Sequence, residues 1–253
     1  MNCTSPEIMT IMTAREIRNG DIVFCGTGIS MLAAMAAKNI SAPDSVIFFE
    51  SGAVDALLED LPWAVSDSRV MWGANSNGGL MDAFATMQNR ITGDRVIAIL
   101  GAAQIDIYGN LNTTAIGDYS KPDTRFAGSG GGCDVASFVP RCIVFMHHER
   151  RKFVRKLDYL TSPGNLDGPG ARRRAGLPPG GITCVVTNMA VMRFDKDTKE
   201  MYLDRFYPGI TPQQVLEHME FAVDISRARP ADPPTEEELR ILRGKCDPRR
   251  MQL

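Results

Sequence analysis

Long apolar runs are missing from this 253-residue sequence. No stretch approaches the roughly 18 to 20 consecutive apolar residues of a membrane-spanning helix, so no membrane partner is expected. A charge excess is missing as well: 28 Lys and Arg against 30 Asp and Glu give a formal net charge of -2. Nucleic-acid and membrane-surface partners usually leave a basic patch, so neither is expected. The N-terminus lacks the charged, apolar and small-residue order of a secretory signal. Cys3, Cys25, Cys133, Cys142, Cys184 and Cys246 are scattered without a C-x-x-C pair. In a chain of this length they read as reduced thiols in a cytoplasm, neither a disulfide framework nor a zinc site. Histidine is scarce, and two of the three, His147 and His148, are adjacent. Adjacent strand residues point to opposite faces, so the pair cannot easily share an ion, and no metal site is expected.

What is present is ordinary globular material, 44% hydrophobic and 23% charged. The stretch "TSPEIMTIMTAREIRNG" predicts a helix with Ser5 as N-cap, Pro6 in the first turn and Gly20 closing the run. "DIVFCGTG", "DSVIFFESG", "DRVIAILGAAQID" and "RCIVFMHH" read as buried strands, with helices over "ISMLAAMAAKNI" and "GGLMDAFATMQNR" among them. Such alternation predicts an α/β fold with an open, largely parallel sheet covered by helices on both faces. The Arg/Lys run after His148 reads as a solvated helix face. After about residue 160 the texture changes to Gly, Pro and Arg. "ITCVVTNMAVMRFD" and "MYLDRFYPG" then predict antiparallel strands joined through "DKDTKE", followed by short helices over "TPQQVLEHMEF" and "TEEELRILRGK". The expectation is a single domain over 1–253, with a core at about 8–160 and a C-terminal extension of antiparallel strands and helices at about 161–253.

Three short stretches carry chemistry. In "SVIFFESGAV" four apolar residues, Val46 to Phe49, run into Glu50 and then Ser51 and Gly52. Ligands of open α/β sheets bind at the carboxyl ends of strands, where such a glutamate has free access to a substrate. An exposed strand-end glutamate is the plainer reading of the residues alone. "GTG" at Gly26 to Gly28 joins a strand to a helix, where backbone N–H groups favour an anion; a tight turn serves equally. "FAGSGGGCD" sets Gly128, Gly130, Gly131 and Gly132 around Ser129 before a helix start. Glycine at that density costs backbone entropy, so it predicts a backbone that approaches a ligand closely and aims several N–H donors at it. It is no Walker loop, since no Gly-Lys-Ser/Thr follows. Cys133 adjoins it with no histidine placed beside it in the sequence.

The stretches "FESGAVDA", "ILGAAQIDIYGNLNTTAIGDY", "PDTRFAGSGGG", "MHHERRKFVRKLDYLTSPG" and "DGPGARRRAGLP", in that order and spacing, resemble the B (β) subunits of the family I CoA-transferases, the glutaconate type in particular. The resemblance runs from about residue 8 to about 245. It implies an open α/β fold, a separate A (α) subunit in a hetero-oligomer, and coenzyme A as substrate with no permanently bound cofactor and no metal. It also implies that Glu50, in its E-S-G motif, is the nucleophile of a ping-pong transfer of CoA. The partners would be a dicarboxylic acyl-CoA such as glutaconyl-CoA and a small acid such as acetate, with a glutamyl-CoA thioester as intermediate. Gly26, Gly28, Gly128, Ser129, Gly130, Gly131 and Gly132 are then the expected oxyanion and CoA-binding positions. Ser51, Gly52 and Gln104 are expected in the substrate pocket. Ala102, and Cys133 with Asp134 after the glycines, depart from the family's pattern and bear on the acyl group. Arg172 to Arg174 would meet CoA phosphates or the partner subunit. A hydrolase or decarboxylase on the same scaffold, or a non-catalytic binding subunit, are the alternatives.

Overall fold

Val23, Phe24 and Cys25 are buried consecutively, which places their strand, β1 (Ile22–Cys25), inside the first of two compact units. This computed structural model describes residues 3–59, 61–89 and 95–253. The first unit comprises Met1–Leu100 with Pro233–Leu253, and the second Gly101–Asp232. The change of texture near residue 160 falls inside the second.

In the first unit, α1 (Ser5–Ala14) is capped by Thr4 and not by Ser5. The Thr4 hydroxyl accepts the Glu7 N–H while Glu7 reaches back to the Thr4 N–H at 2.8 Å, the reciprocal capping box that puts Ser5 inside the helix. After β1 comes α2 (Ile29–Ile40), then β2 (Val46–Phe48), β3 (Ala53–Val54), β4 (Ser76–Asn77), α3 (Leu80–Gln88) and β5 (Val96–Gly101). Arg90 and Asp94, expected to end that helix and begin that strand, lie outside the described residues. Both β2 and β5 pair parallel with β1, Phe24 standing opposite Phe48 and Ala98. β3 and β4 extend this edge antiparallel. Helix α2 is alanine-rich because Ala33, Ala34, Ala36 and Ala37 are all wholly buried, which lets α1 and the helix over Glu236–Ile241 pack closely on it. That last helix runs on as a π turn through Leu242–Cys246.

The second unit carries β6 (Gln104–Ile105) and β7 (Leu111–Asn112) as one antiparallel pair and β8 (Ala115–Asp118) and β9 (Lys121–Arg125) as another. Helix α4 (Gly132–Phe138) leads into β10 (Arg141–Phe145), which pairs parallel with β11 (Ile182–Val186). β12 (Ala190–Phe194) and β13 (Met201–Phe206) follow antiparallel, as expected for the turn at "DKDTKE". The stretch expected as one strand over "ITCVVTNMAVMRFD" is instead the hairpin of β11 and β12. Thr187 causes the reversal: its hydroxyl accepts the N–H groups of Met189 and Ala190 at 3.1 and 3.0 Å, folding the chain back on itself. The charged run after His148 is no helix face either. Phe153 is wholly buried and bridges β6 in parallel, so the run is pulled into turns. The fold is therefore α/β, its sheet largely parallel with antiparallel additions.

Candidate active site

Glu50 sits on a tight turn. The Gly52 N–H donates to the Phe49 carbonyl at 2.9 Å, and the Phe49 N–H donates to the Ala53 carbonyl at 3.0 Å. Gly52 itself has φ of +97°, the left-handed conformation that closes such a turn and favours glycine. Glu50 and Ser51 are therefore the two tip residues between β2 and β3. Phe24 opposes Phe48, so Gly26 and Glu50 each stand two residues beyond a paired position, at the carboxyl end of adjacent parallel strands. The hairpin is braced from behind. Lys38 of α2 donates to Asp55 Oδ1 and to the Ser45 carbonyl, both at 2.6 Å, and Asp55 has φ of +52°.

The Glu50 carboxylate is half-buried and, among the described residues, takes part in no hydrogen bond or ion pair. Next to it the Ser51 hydroxyl is buried without a hydrogen-bond partner among the described residues. A buried polar group without a partner costs about 1–3 kcal/mol, and where one persists it points to a group that arrives from outside. Gly28 N-caps α2 with φ of +72°, and the side chain of Gln252 lies 3.5 Å from where its Cβ would be.

In the second unit, the glycine loop is only partly free. The Gly128 N–H donates to the Thr113 carbonyl at 3.0 Å and the Gly132 N–H to the Ser129 carbonyl at 2.8 Å, while the Ser129 hydroxyl accepts the Cys133 N–H. The amides of Ser129, Gly130 and Gly131 find no acceptor among the described residues. Gly128 and Gly130 have φ of +90° and +48°, with open space where a Cβ would stand, so it is conformation that calls for glycine there. Gly128 and Gln104 line the same cavity, of about 690 Å³.

Of the basic trio, Arg172 spends its guanidinium inside the fold. Its guanidinium is buried and donates to the carbonyls of Pro178, Ala136, Pro163, Gly164 and Ser137 at 2.7–3.3 Å. Arg174 is exposed and pairs with Asp167 at 3.0 Å. His147 is exposed and His148 buried, both beyond the end of β10 at Phe145, so the expected strand stops short of the pair. The described residues hold no group of three or more His, Cys, Asp or Glu placed for a metal ion, and no helix among them is long and apolar enough to cross a membrane. Motif reading did not pair Lys38 with Asp55 or Gln104 with Asp158, because those contacts join residues 17 and 54 positions apart.

Comparison with known proteins places this geometry. The family model described as "Coenzyme A transferase" matches residues 7–218. The chain is 41% identical over 250 residues to the B subunit of glutaconate CoA-transferase from Acidaminococcus fermentans, covering 98% of this chain and 94% of that one. It is 34% identical over 240 residues to the B subunit of 3-oxoadipate CoA-transferase from Pseudomonas knackmussii, covering 94% and 91%. The crystal structure of the Acidaminococcus glutaconate coenzyme A-transferase superposes with a TM-score of 0.96 at 39% identity, over 99% of this chain and 97% of that one. The chain belongs to the coenzyme A transferase family as a B-type subunit, a transferase that works with a partner subunit.

Proposed function

We propose that the protein, together with its A subunit, moves CoA between a dicarboxylic acyl-CoA and a small carboxylate such as acetate, with Glu50 as the covalent nucleophile. The observation that carries this reading is the Glu50 carboxylate, held on a rigid turn and left without a cation or donor of its own. A carboxylate engaged in a structural ion pair would be spent; this one is available. The two CoA-transferase relatives described above are named for dicarboxylic acids, glutaconate and 3-oxoadipate, which supports that substrate class.

In the first step a Glu50 oxygen attacks the thioester carbonyl, the C–S bond breaks, and CoA leaves as thiolate from an acyl-glutamyl anhydride. The thiolate then attacks the Glu50 carbonyl carbon of that anhydride, giving the glutamyl-CoA thioester and releasing the first acid as its carboxylate. The acceptor acid runs both steps in reverse. Nucleophile and leaving groups are all carboxylates or thiolates, so no proton, metal or electron carrier is required. Each tetrahedral intermediate does need N–H donors for its oxyanion. The turn at Gly26–Gly28 and the free amides of Ser129, Gly130 and Gly131 are the candidates. Water has to be kept from the anhydride, or the enzyme becomes a hydrolase.

The partner subunit is the other half of the reading. Both tryptophans of the chain, Trp63 and Trp72, are 71% exposed, and Leu57, Met71, Leu80 and Met81 are exposed around them in sequence. So much large apolar surface in water supports another chain covering it. Scattered cysteines that form no disulfide among the described residues support a reducing cytoplasm as its location.

The test is to incubate the A–B complex with acyl-CoA, trap with borohydride or hydroxylamine, and map the adduct by peptide mass spectrometry. Modification at Glu50 that depends on acyl-CoA is expected. Full transfer activity in a Glu50→Ala complex would overturn the reading in favour of a non-catalytic subunit.

A further inference from the structure

The cavity of about 690 Å³ in the second unit is lined in part by apolar groups, among them Ala102, Ala103 and Phe126. Its polar lining includes a glutamine whose orientation is fixed by neighbours that no motif predicts. Gln104 is 5% exposed. Its Oε1 accepts from Asn112 Nδ2 at 2.8 Å and from the Asp158 N–H at 3.1 Å, while its Nε2 donates to Asp158 Oδ2 at 2.8 Å. Asn112 cannot turn away, since its own Nδ2 also donates to the Ala115 carbonyl at 2.7 Å and its Oδ1 accepts the Thr114 N–H. Two donors on the oxygen and a carboxylate on the nitrogen forbid the flipped amide. One Nε2–H is left over, on a buried residue that faces the cavity, with no acceptor among the described residues.

Lys152 lines the same cavity, and its carbonyl accepts the N–H of Ile105, next in the chain to Gln104, at 2.7 Å. Its side chain is 20% exposed and its Nζ lies 3.0 Å from Glu149 Oε1. Arg151, 79% exposed, takes the other oxygen of the same carboxylate at 2.7 Å. These two cations, with hydrogen bonds to both, hold the Glu149 carboxyl below the usual range and therefore ionised. The charged groups that line the cavity are Arg151 and Lys152, while the neighbouring carboxylates, Glu149 and Asp158, stand outside its lining. Arg151 satisfies Glu149 from solvent, and that leaves the shielded Lys152 able to turn to a second anion.

From this arrangement we infer that the cavity is an acyl-chain subsite selecting acyl groups that end in a carboxylate. Lys152 is the counter-cation, Gln104 the directed donor, and Asp158 the positioning residue that orients Gln104. The inference rests on the CoA-transferase reading and adds the groups that recognise the acyl chain. A lysine with three rotatable donors suits the end of a flexible chain, whereas the apolar lining suits its methylenes.

The deciding experiment is calorimetric binding of glutarate, butyrate and free CoA to the A–B complex, with glutaryl-CoA and butyryl-CoA tested as CoA donors to acetate. Glutarate should bind at least tenfold more tightly than butyrate. Lys152→Met should erase that preference, costing glutarate at least tenfold in affinity and butyrate far less, at unchanged melting temperature. Asp158→Ala should raise the KM for both donors, and Asp158→Asn, which keeps an acceptor for Gln104, should restore it at unchanged melting temperature. Equal binding of the two acids by the unaltered complex overturns the inference. So does an equal loss of both acids in Lys152→Met, or a loss confined to free CoA, which would assign Lys152 to a CoA phosphate. Absence of transfer from every acyl-CoA would sink the transferase reading, while the acid-binding comparison still decides the subsite.

Discussion

Gly52 and Gly78 lie backbone against backbone. The Gly78 N–H donates to the Gly52 carbonyl at 2.9 Å, and a Cβ on Gly52 would fall 2.3 Å from the Gly78 carbonyl oxygen. The last residue of the Glu50 turn is thus fixed twice, by a left-handed φ and by a strand edge that leaves no room for a side chain. Gly52→Ala should lose at least 2 kcal/mol or so of stability, since the strain and the clash are both unrelieved. Its transfer rate should fall by about 10²-fold or more if the turn aims the nucleophile. Urea denaturation and steady-state kinetics on the same preparation check both parts; a stable and fully active Gly52→Ala complex would detach the turn from the chemistry.

Ser51 gives the opposite pairing of effects. Its buried hydroxyl has no partner among the described residues, so Ser51→Ala removes an unsatisfied group and should leave stability unchanged or raise it by about 1 kcal/mol. The same substitution should slow transfer, since the hydroxyl is free to meet only what enters from outside. A loss of stability with normal kinetics would mean that the hydroxyl has a structural partner.

The sequence carried the order of the elements further than their chemistry. Ile29–Ile40 was legible to the residue because Gly28 and an Ala-rich face bound it, and Glu50 was legible because an apolar run stopped on a carboxylate. The hairpin at Thr187 was not, since a β-branched residue inside an apolar run looks like continuing strand until its hydroxyl is seen folding the backbone. Nor was the oriented state of Gln104 legible: Asp158, 54 residues away, decides which way that amide points. Local pattern announces elements and special backbone; it is silent on side chains whose partners are remote.

Arg172 shows how misleading composition can be. Three consecutive arginines suggest a phosphate site, yet this one ties α4 to the loops at 163–164 and 178 through five backbone carbonyls. Gly181 makes room for it, since a Cβ there would sit 2.5 Å from the guanidinium. Arg172→Met should cost about 2–4 kcal/mol by stranding buried carbonyls, with no specific rise in the KM for acyl-CoA. Lysine should recover only part, lacking the planar fork. Thermal melts and the KM for CoA substrates are the readouts; a selective KM effect at normal stability would return Arg172 to the ligand.

His148 should make the fold sensitive to mild acid. It is buried, stacked on Phe153 at 4.3 Å between ring centroids, with Nε2 3.0 Å from the Val215 carbonyl and Nδ1 without a partner. The neutral ring donates from Nε2. Burial pushes its pKa down from 6.5 to about 4, the Val215 carbonyl opposes that shift, and His218, 6.5 Å away, adds to it. A lowered folded-state value means that the unfolded chain takes up the proton first. The contribution is therefore complete above pH 6.5, shrinks as pH falls from there, and is gone near pH 4, a total of about 3 kcal/mol at 1.36 kcal/mol per pH step. Glu7 also has a lowered value, about 2, chiefly through its hydrogen bonds from Arg243, but its contribution is lost only as pH falls from about 4.5. The two windows scarcely overlap. Urea midpoints at pH 7.5, 6.5, 5.5 and 4.5 should fall steadily in the unaltered protein and much less in His148→Gln, whose amide keeps a donor for Val215. Parallel curves for the two proteins would mean that His148 takes up its proton equally in the folded and the unfolded chain.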